Sequence, residues 1–164
     1  MTVYEAIDKR QSVRAFSDRK IPADTLERIL IAGTKAPTAR NEQAHRTIAV
    51  TDPAIIKQLG SAQAHIGTAP CVLVVYFDGD SRTMACGQPA RVLDCSICLS
   101  YMVLAAVEEG IQGCWIGGVE VESVKKLLGL PESAVIVALH TLGYPAGDTP
   151  RREKKEPSTL YDIV

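Results

Sequence analysis

The stretch RQSVRAF, residues 10–16, places three hydrogen-bond donors at alternate positions of the chain. The side chains of Arg10, Ser12 and Arg14 would share one face of an extended segment, because alternate residues of such a segment point the same way. Guanidinium groups bind oxyanions through charge-assisted, often bidentate hydrogen bonds. The spacing therefore predicts an anion-binding segment near the start of the chain.

A polar loop, KAPTARNEQAHRT, occupies residues 35–47 between a predicted helix and a predicted strand. Its amide side chains, Asn41 and Gln43, both donate and accept hydrogen bonds, so they suit a flat heterocycle that offers both kinds of group. A surface loop built on Asx turns would use the same residue types. The loop alone is compatible with either interpretation.

The segment GIQGCWIGGV, residues 110–119, combines one tryptophan with several glycines. Glycines allow a ligand to approach the backbone closely, where exposed N–H groups can donate to it. Taken alone, the segment is a glycine-rich loop that carries Trp115.

Several common catalytic and cofactor motifs are missing from the sequence. It has neither G-x-G-x-x-G nor G-x-x-x-x-G-K-[ST], so a Rossmann dinucleotide site and a P-loop have no support. Ser123-x-x-Lys126 lacks the motifs that accompany it in serine acylases and lies on an amphipathic segment. The histidines His45, His65 and His140 have no metal-ligand spacing, and His140 is interpreted as a satisfied core or interface residue.

The five cysteines are odd in number and lie mostly in apolar runs, which favours reduced core thiols over a disulfide framework. Cys95 and Cys98 have the spacing of half a zinc site, but both fall inside an apolar helical segment. We interpret them as core residues. A small zinc site that also uses Cys114 is the minor alternative.

Composition and charge restrict the class of protein. With 164 residues, 46% of them hydrophobic, the chain suits one compact domain, and its net charge of −1 gives no field that would attract nucleic acid. The polar N-terminus does not resemble a signal peptide, and the cysteines suit a reducing compartment. We therefore expect a soluble cytoplasmic protein.

The expected elements are short helices and strands in the order α-α-β-α-β-α-α-β, followed by a polar tail. Thr2-x-x-Glu5 is a capping box, and the second helix has Asp24 or Thr25 near its N-cap and Pro37 as its stop. Apolar, β-branched runs predict strands, and an almost wholly apolar helix is predicted over 94–109. The strands are expected at 47–51, 71–78 and 134–145, and an amphipathic helix at 121–129. The pattern indicates an α+β or mixed-sheet architecture.

Four strings, taken in order, resemble the FMN-dependent nitroreductase family over nearly the whole chain: RQSVRAF, APTARNEQ, LAAVEEGIQGCWIGG and LGLPESAVIVALHTLGYP. The resemblance implies one flavin-binding domain over residues 1–164 with a nitroreductase-like α+β fold. In that fold a mixed, mainly antiparallel central sheet is flanked by helices, and two copies form an intertwined homodimer with flavin sites at the subunit boundary.

The resemblance also implies roles for particular residues. Arg10 and Ser12 would hold the phosphate and ribityl chain of FMN. Arg14 would lie near flavin N1 and the C2 carbonyl, where a cation stabilises the reduced ring. The cofactor-binding residues implied in total are Arg10, Ser12, Arg14, Pro37, Thr38, Ala39, Asn41, Gln43, Trp115, Ile116, Gly117, Gly118 and Arg152.

Within that set, Thr38, Asn41 and Gln43 would reach the flavin bound mainly by the other subunit. The backbone at Ile116, Gly117 and Gly118 would approach flavin N5. One basic residue of the tail would complete the phosphate site; the candidates are Arg151, Arg152, Lys154 and Lys155, with Arg152 as the first choice.

The implied activity is ping-pong hydride transfer from NAD(P)H through flavin N5 to a nitroaromatic, a quinone or another flavin. The cofactor carries the chemistry, so no catalytic acid, base or metal is expected in the protein. A non-catalytic flavin-binding storage or sensing module is the alternative. Ala39 and the pair Ala44-His45 depart from the family pattern, and the chain is short, so the oxidant and the choice between NADH and NADPH stay open.

Overall fold

The computed structural model describes residues 1–61 and 63–164. In chain order the regular elements are α1 (Val3–Lys9), α2 (Ala23–Thr34), β1 (His45–Val50), α3 (Pro53–Leu59), β2 (Cys71–Asp78), α4 (Ala90–Glu108), β3 (Trp115–Ile116), α5 (Val121–Leu128) and β4 (Ala134–Leu142). Two short 3-10 turns, Ala39–Asn41 and Pro157–Thr159, lie in the polar loop and the tail.

The four strands form an antiparallel sheet in the order β1-β2-β4-β3. Side chains of β2 alternate between its two faces, and both faces are buried. Leu73 and Val75 pack in a cluster with residues of α2 and α4, whereas Val72 and Val74 pack in a second cluster with residues of α3 and α5. The sheet therefore lies between two layers of helices, as the α+β prediction requires.

Helix α4 begins at Ala90, four residues before the predicted start at Asp94. Nothing between Pro89 and Asp94 opposes a helix, and Pro89 itself is the N-cap residue. Asp94 is thus not at the N-terminus of the helix, where an acid would cap it, but is a buried side chain inside the helix, 4% exposed. By length and composition α4 could span a membrane, but it packs against α2 and the sheet as a core helix.

The Thr2–Glu5 capping box is confirmed, with a hydrogen bond in each direction between the two residues. The ends of several other elements differ from the sequence prediction. The N-cap of α2 is Pro22, not Asp24 or Thr25, because Thr25 is already buried in the first turn. Strand β1 starts at His45 rather than at residue 47, and β4 ends at Leu142 rather than at residue 145. The two-residue strand β3 was not predicted from the sequence.

Candidate functional site

The predicted anion-binding segment runs beside Gly113, two residues before β3. Ser12 and Gly113 form an isolated parallel bridge, and the Val13 N–H donates to the Gly113 carbonyl at 2.9 Å. Val13 is fully buried, whereas Ser12 and Arg14 on either side are exposed. Burial of Val13 therefore fixes which face of the segment the polar side chains occupy.

A cavity of about 450 Å³ lies between the end of α1, this segment and the tail. It is lined by Ile7, Asp8, Arg10, Gln11, Ser12, Arg14, Thr149, Pro150, Arg151, Arg152 and Lys154. Five of these residues carry positive charge (four arginines and one lysine) and one, Asp8, carries negative charge. Such an excess of cations suits a polyanionic group such as a phosphate. We call this space the cationic cavity.

The cationic cavity brings together the N-terminal donors and three of the four basic tail candidates. Arg151, Arg152 and Lys154 line it, and Lys155 does not appear among its lining residues. All of these tail side chains are exposed.

A second cavity of about 380 Å³ adjoins the first, because Ile7, Arg10 and Ser12 line both. Its other lining residues are Ser100, Val103 and Leu104 of α4, together with Gly113, Trp115 and His140. Trp115, on β3, is 43% exposed. The lining is mostly apolar, which suits a flat hydrophobic ring more than a charged group. We call it the strand cavity.

Glycines at the end of β3 leave its backbone open. A Cβ added at Gly117 would meet nothing within 4 Å. Gly117 and Gly118 are both exposed, while Ile116 is buried in the core. This part of the backbone can therefore be approached closely by a ligand, as the glycine-rich pattern predicted.

His140 lies directly opposite Trp115 in the register of β3 and β4. It is 4% exposed, and its Nδ1 has no hydrogen-bond partner in the part of the chain that the structure describes. Burial lowers the pKa of His140 from 6.5 to about 4; the backbone at Thr141 acts in the opposite direction, and the charge of Arg10 lowers the pKa further. The prediction of a core residue is confirmed, but Nδ1 lacks the partner that the prediction of a satisfied histidine requires.

Two residues that sequence reasoning left out lie beside the site. The Gln63 side chain donates to the Gly118 carbonyl at 2.6 Å. His65 has a buried Nε2 without a partner among the described residues. Its pKa is lowered by burial and, to a smaller extent, by the charge of Arg14. No sequence pattern marked this segment, because its only signal is an isolated glutamine and an isolated histidine.

In the folded chain, the polar loop lies near the start of α4 and away from the cationic cavity and the strand cavity. Its Ala39 N–H donates to Asp94 near the start of α4 at 2.9 Å. The strand cavity contacts α4 from Ser100 to Leu104. The six helical residues from Asp94 to Ser100 correspond to about 9 Å along the axis, and none of the loop residues lines either cavity. Within one chain, therefore, the structure does not bring the loop residues to the two cavities; these are Pro37, Thr38, Ala39, Asn41 and Gln43.

The backbone of this loop is held in an unusual conformation. Arg40, Asn41 and Gln43 have φ values of 56°, 58° and 49°. L-residues rarely occupy this left-handed region, and such strain is concentrated at functional sites. The Gln43 N–H donates to Thr38 Oγ1 at 3.1 Å, which closes the loop on itself. The arrangement leaves Asn41 and Gln43 exposed.

A third cavity of about 340 Å³ lies next to the loop and is lined by Leu30, Thr34, Gln43, His45, Arg46, Thr47 and Cys98. Burial lowers the pKa of His45, while the nearby carboxylate of Asp94 raises it. His45 thus lies near the loop residue Gln43 and away from the cationic cavity.

The minor zinc alternative has no geometric support. Among residues 1–61 and 63–164, no three His, Cys, Asp or Glu side chains are grouped so that they could hold a metal ion. Cys95 and Cys98 are buried in α4, as the core interpretation predicted.

Comparison with known proteins decides the family. The sequence model of the nitroreductase family matches residues 7–65 and 57–144. This chain belongs to the nitroreductase family. The resemblance noted in the sequence is thereby confirmed.

Two relatives of this family member match most of its length. The NADH dehydrogenase of Thermus thermophilus is 35% identical over 172 residues, covering 84% of this chain and 84% of the relative. A putative NADH dehydrogenase/NAD(P)H nitroreductase of Methanothermobacter thermautotrophicus is 28% identical over 168 residues, covering 98% and 86%.

Solved structures agree with the fold. The nitroreductase family protein from Clostridium difficile has a TM-score of 0.87 at 27% identity and covers 99% of this chain and 98% of its own. The nitroreductase family protein from Streptococcus pneumoniae has a TM-score of 0.86 at 18% identity, covering 99% and 100%. The latter shows the fold alone. The nitroreductase-like α+β fold predicted from sequence is confirmed.

Proposed function

We propose that this chain is an FMN-dependent NAD(P)H oxidoreductase in which residues 1–164 form one flavin-binding domain. The class, an NAD(P)H oxidoreductase of the nitroreductase family, follows from the family match and agrees with the names of the relatives. The observation that supports the flavin is the junction of the cationic cavity with the strand cavity at Arg10 and Ser12. The cationic cavity suits a phosphate, and the adjoining strand cavity suits a flat ring.

The residues present fit FMN in three respects. The cationic cavity offers four arginines and a lysine against one carboxylate, which suits a dianionic phosphate. The strand cavity is mostly apolar, with Trp115 at its edge. The buried Nδ1 of His140 and the open backbone at Gly117 are groups that a ligand could satisfy or approach.

Arg10, Ser12 and one tail residue, with Arg152 as first choice, would hold the phosphate. The family resemblance assigns Arg14 to the ring, although in the single chain Arg14 lines the cationic cavity and not the strand cavity. The backbone at Ile116, Gly117 and Gly118 would border the reacting part of the ring. When bound, FMN would supply the redox chemistry by taking a hydride from NAD(P)H and passing electrons to a nitroaromatic, quinone or flavin. The residues of the protein would then bind the cofactor, orient its ring and set its reduction potential.

A homodimer would complete this site. Leu93, Ile97 and Tyr101 recur every four residues along α4 and are 38%, 37% and 42% exposed, so they form an apolar stripe on the outside of the helix. The tail is exposed throughout residues 151–164, with Leu160 at 65% and Ile163 at 91%. A second copy that covers this surface would bring its own Thr38, Asn41 and Gln43 to the flavin.

The proposal is tested by the cofactor and the activity together. We expect the purified protein to be yellow, to release FMN and not FAD on denaturation, and to sediment as a dimer with two flavins. Steady NAD(P)H consumption with menadione or a nitroaromatic would distinguish an oxidoreductase from a flavin storage or sensing module. Finding FAD, or no flavin after incubation with excess FMN, would refute the cofactor assignment. We further propose a cytoplasmic location, testable by fractionation of the source cells.

A further inference from the structure

His140 lines the strand cavity together with Trp115 and with Arg10 and Ser12, the two residues that this cavity shares with the cationic cavity. It lies directly opposite Trp115 in the strand register and close enough to Arg10 for that charge to act on it. Directly opposite residues of an antiparallel pair lie on the same face of the sheet. His140 and Trp115 therefore present their side chains to the same face, and both line the cavity.

One ring nitrogen of His140 has no hydrogen-bond partner in the described part of the protein. This nitrogen, Nδ1, is buried. Ser100, on the α4 wall, already donates its hydroxyl to the Ser96 carbonyl at 2.8 Å. Leaving a buried polar atom unpaired destabilises a folded protein, so such an atom is usually explained by a ligand, an ion or a water.

The imidazole is neutral under ordinary conditions, because burial, with a smaller contribution from the charge of Arg10, lowers its pKa to about 4 against the opposing backbone contact at Thr141. A neutral imidazole has one nitrogen that donates and one that accepts a hydrogen bond. The unpaired Nδ1 donates in one tautomer and accepts in the other. A hydroxyl can serve as its partner in either case, whereas a bare hydrocarbon can serve in neither.

We propose that His140 binds the ribityl hydroxyls of the flavin. The proposal rests on the proposed function, because it requires phosphate in the cationic cavity and the ring beside Trp115. The ribityl chain is the part of FMN that joins those two ends, and it carries the hydroxyls. His140 lines the cavity at which the two ends meet.

The first experiment is a cycle of two proteins and two ligands. Wild type and His140→Leu are titrated with FMN and with an analogue whose ribityl phosphate is replaced by a phosphopentyl chain, which keeps ring and phosphate but has no hydroxyls. We expect His140→Leu to lower the affinity for FMN by roughly three- to tenfold, as for one neutral hydrogen bond. The affinity for the phosphopentyl analogue should not change.

Equal losses for both ligands would overturn the proposal, because His140 would then act on the ring, on the phosphate or on the fold. Unchanged affinity for both ligands would also overturn it. Failure of the wild-type protein to bind either ligand would instead refute the proposed function. The two failures are thus distinguishable.

Stability of the flavin-free protein provides a readout that an ordinary structural histidine would not give. His140→Leu removes an unpaired buried nitrogen, so its melting temperature should equal or exceed that of wild type while FMN affinity falls. A lower melting temperature would favour a structural role and count against the proposal. His140→Gln, which keeps a donor and an acceptor, should recover part of the FMN affinity.

A measurement on the wild-type protein covers the case in which the variants do not fold. With isotope-labelled histidine, the ring nitrogen resonances of His140 should shift when FMN is added and shift much less with the phosphopentyl analogue. Identical spectra with the two ligands would overturn the proposal.

Discussion

Asp94, buried on α4, accepts a hydrogen bond of 2.9 Å from the backbone N–H of Ala39. This bond fixes the strained loop to the core helix of the fold. The second carboxylate oxygen of Asp94, Oδ2, is buried and has no partner among the described residues. The loop is also connected at its other side, where Glu42 forms an ion pair with Arg82 at 3.5 Å. The position of Asn41 and Gln43 therefore depends on a buried carboxylate that neither residue touches.

The first prediction concerns this contact. Asp94→Ala should destabilise the fold by about 1–3 kcal/mol, because it leaves the half-buried Ala39 N–H without an acceptor. Asp94→Asn keeps one carbonyl oxygen and should lose less. Urea unfolding of both variants measures the difference. If Asp94→Ala unfolds at the wild-type midpoint, the Ala39 bond does not hold the loop.

The second prediction uses two glycines of the same segment. A Cβ at Gly113 would overlap the Thr141 carbonyl oxygen, whereas a Cβ at Gly117 would meet nothing within 4 Å. Gly113→Ala should therefore separate β3 from β4 and destabilise the fold by several kcal/mol, on the order of an overpacked core. Gly117→Ala should change the free energy of unfolding by less than about 0.5 kcal/mol.

Gly117→Ala also tests the binding site separately from the fold. It should leave the fold intact and still weaken FMN binding, because the added Cβ would block close approach of the ring to the backbone. Thermal unfolding and flavin titration are measured on the same samples. Normal FMN affinity in Gly117→Ala would mean that the ligand does not approach this backbone.

Some parts of the fold were predictable because they depend on local signals. The Thr2–Glu5 capping box and the exposed–buried alternation around Val13 follow from residue type and spacing. Strand β3 has only two residues, Trp115 and Ile116, which is too short for a period-two pattern to show. Its existence depends on pairing with β4, which is a tertiary contact.

The site was less predictable than the fold. A histidine in an apolar strand is equally consistent with a paired and an unpaired imidazole, so the missing partner of His140 could be found only in three dimensions. The contact from Gln63 to Gly118 joins residues 55 positions apart, with no motif to indicate it. The separation of the polar loop from the cavities also depends on how α4 is packed.

The third prediction is a pH dependence of stability. Because the pKa of His140 is about 4 when folded and 6.5 ordinarily, the unfolded chain binds a proton in this range and the folded chain does not. Titration of His140 therefore leaves the free energy of unfolding unchanged above pH 6.5 and lowers it as the pH falls from 6.5 towards 4. The full loss is on the order of 3 kcal/mol.

Urea unfolding of flavin-free wild type and His140→Leu at several pH values tests this linkage. The difference between the two proteins should grow as the pH falls through this window, with His140→Leu the less sensitive. His45 and His65 titrate in the same direction and are present in both proteins, so they cancel in the comparison. Parallel stability curves would show that His140 is not buried as a neutral group.

The last prediction separates Arg10 from Arg14. Both line the cationic cavity, but only Arg10 also lines the strand cavity, so the two arginines have different surroundings; the role of Arg14 at the ring is what the family resemblance implies. Arg10→Ala should remove charge-assisted bonds to phosphate, each worth about 1.5–3 kcal/mol. FMN affinity should then fall by roughly one to two orders of magnitude.

Arg14→Ala should weaken FMN less and act mainly on the reduced ring, because a cation near the ring stabilises the negative charge of the reduced form. The midpoint potential should therefore fall, and for a two-electron couple about 30 mV corresponds to 1.4 kcal/mol. Redox titration and FMN titration of the two variants are compared side by side. Arg19→Ala is the matched control, since Arg19 stacks on Tyr144 and does not line the cationic cavity. Equal losses of affinity with unchanged potentials would place Arg14 at the phosphate instead of the ring.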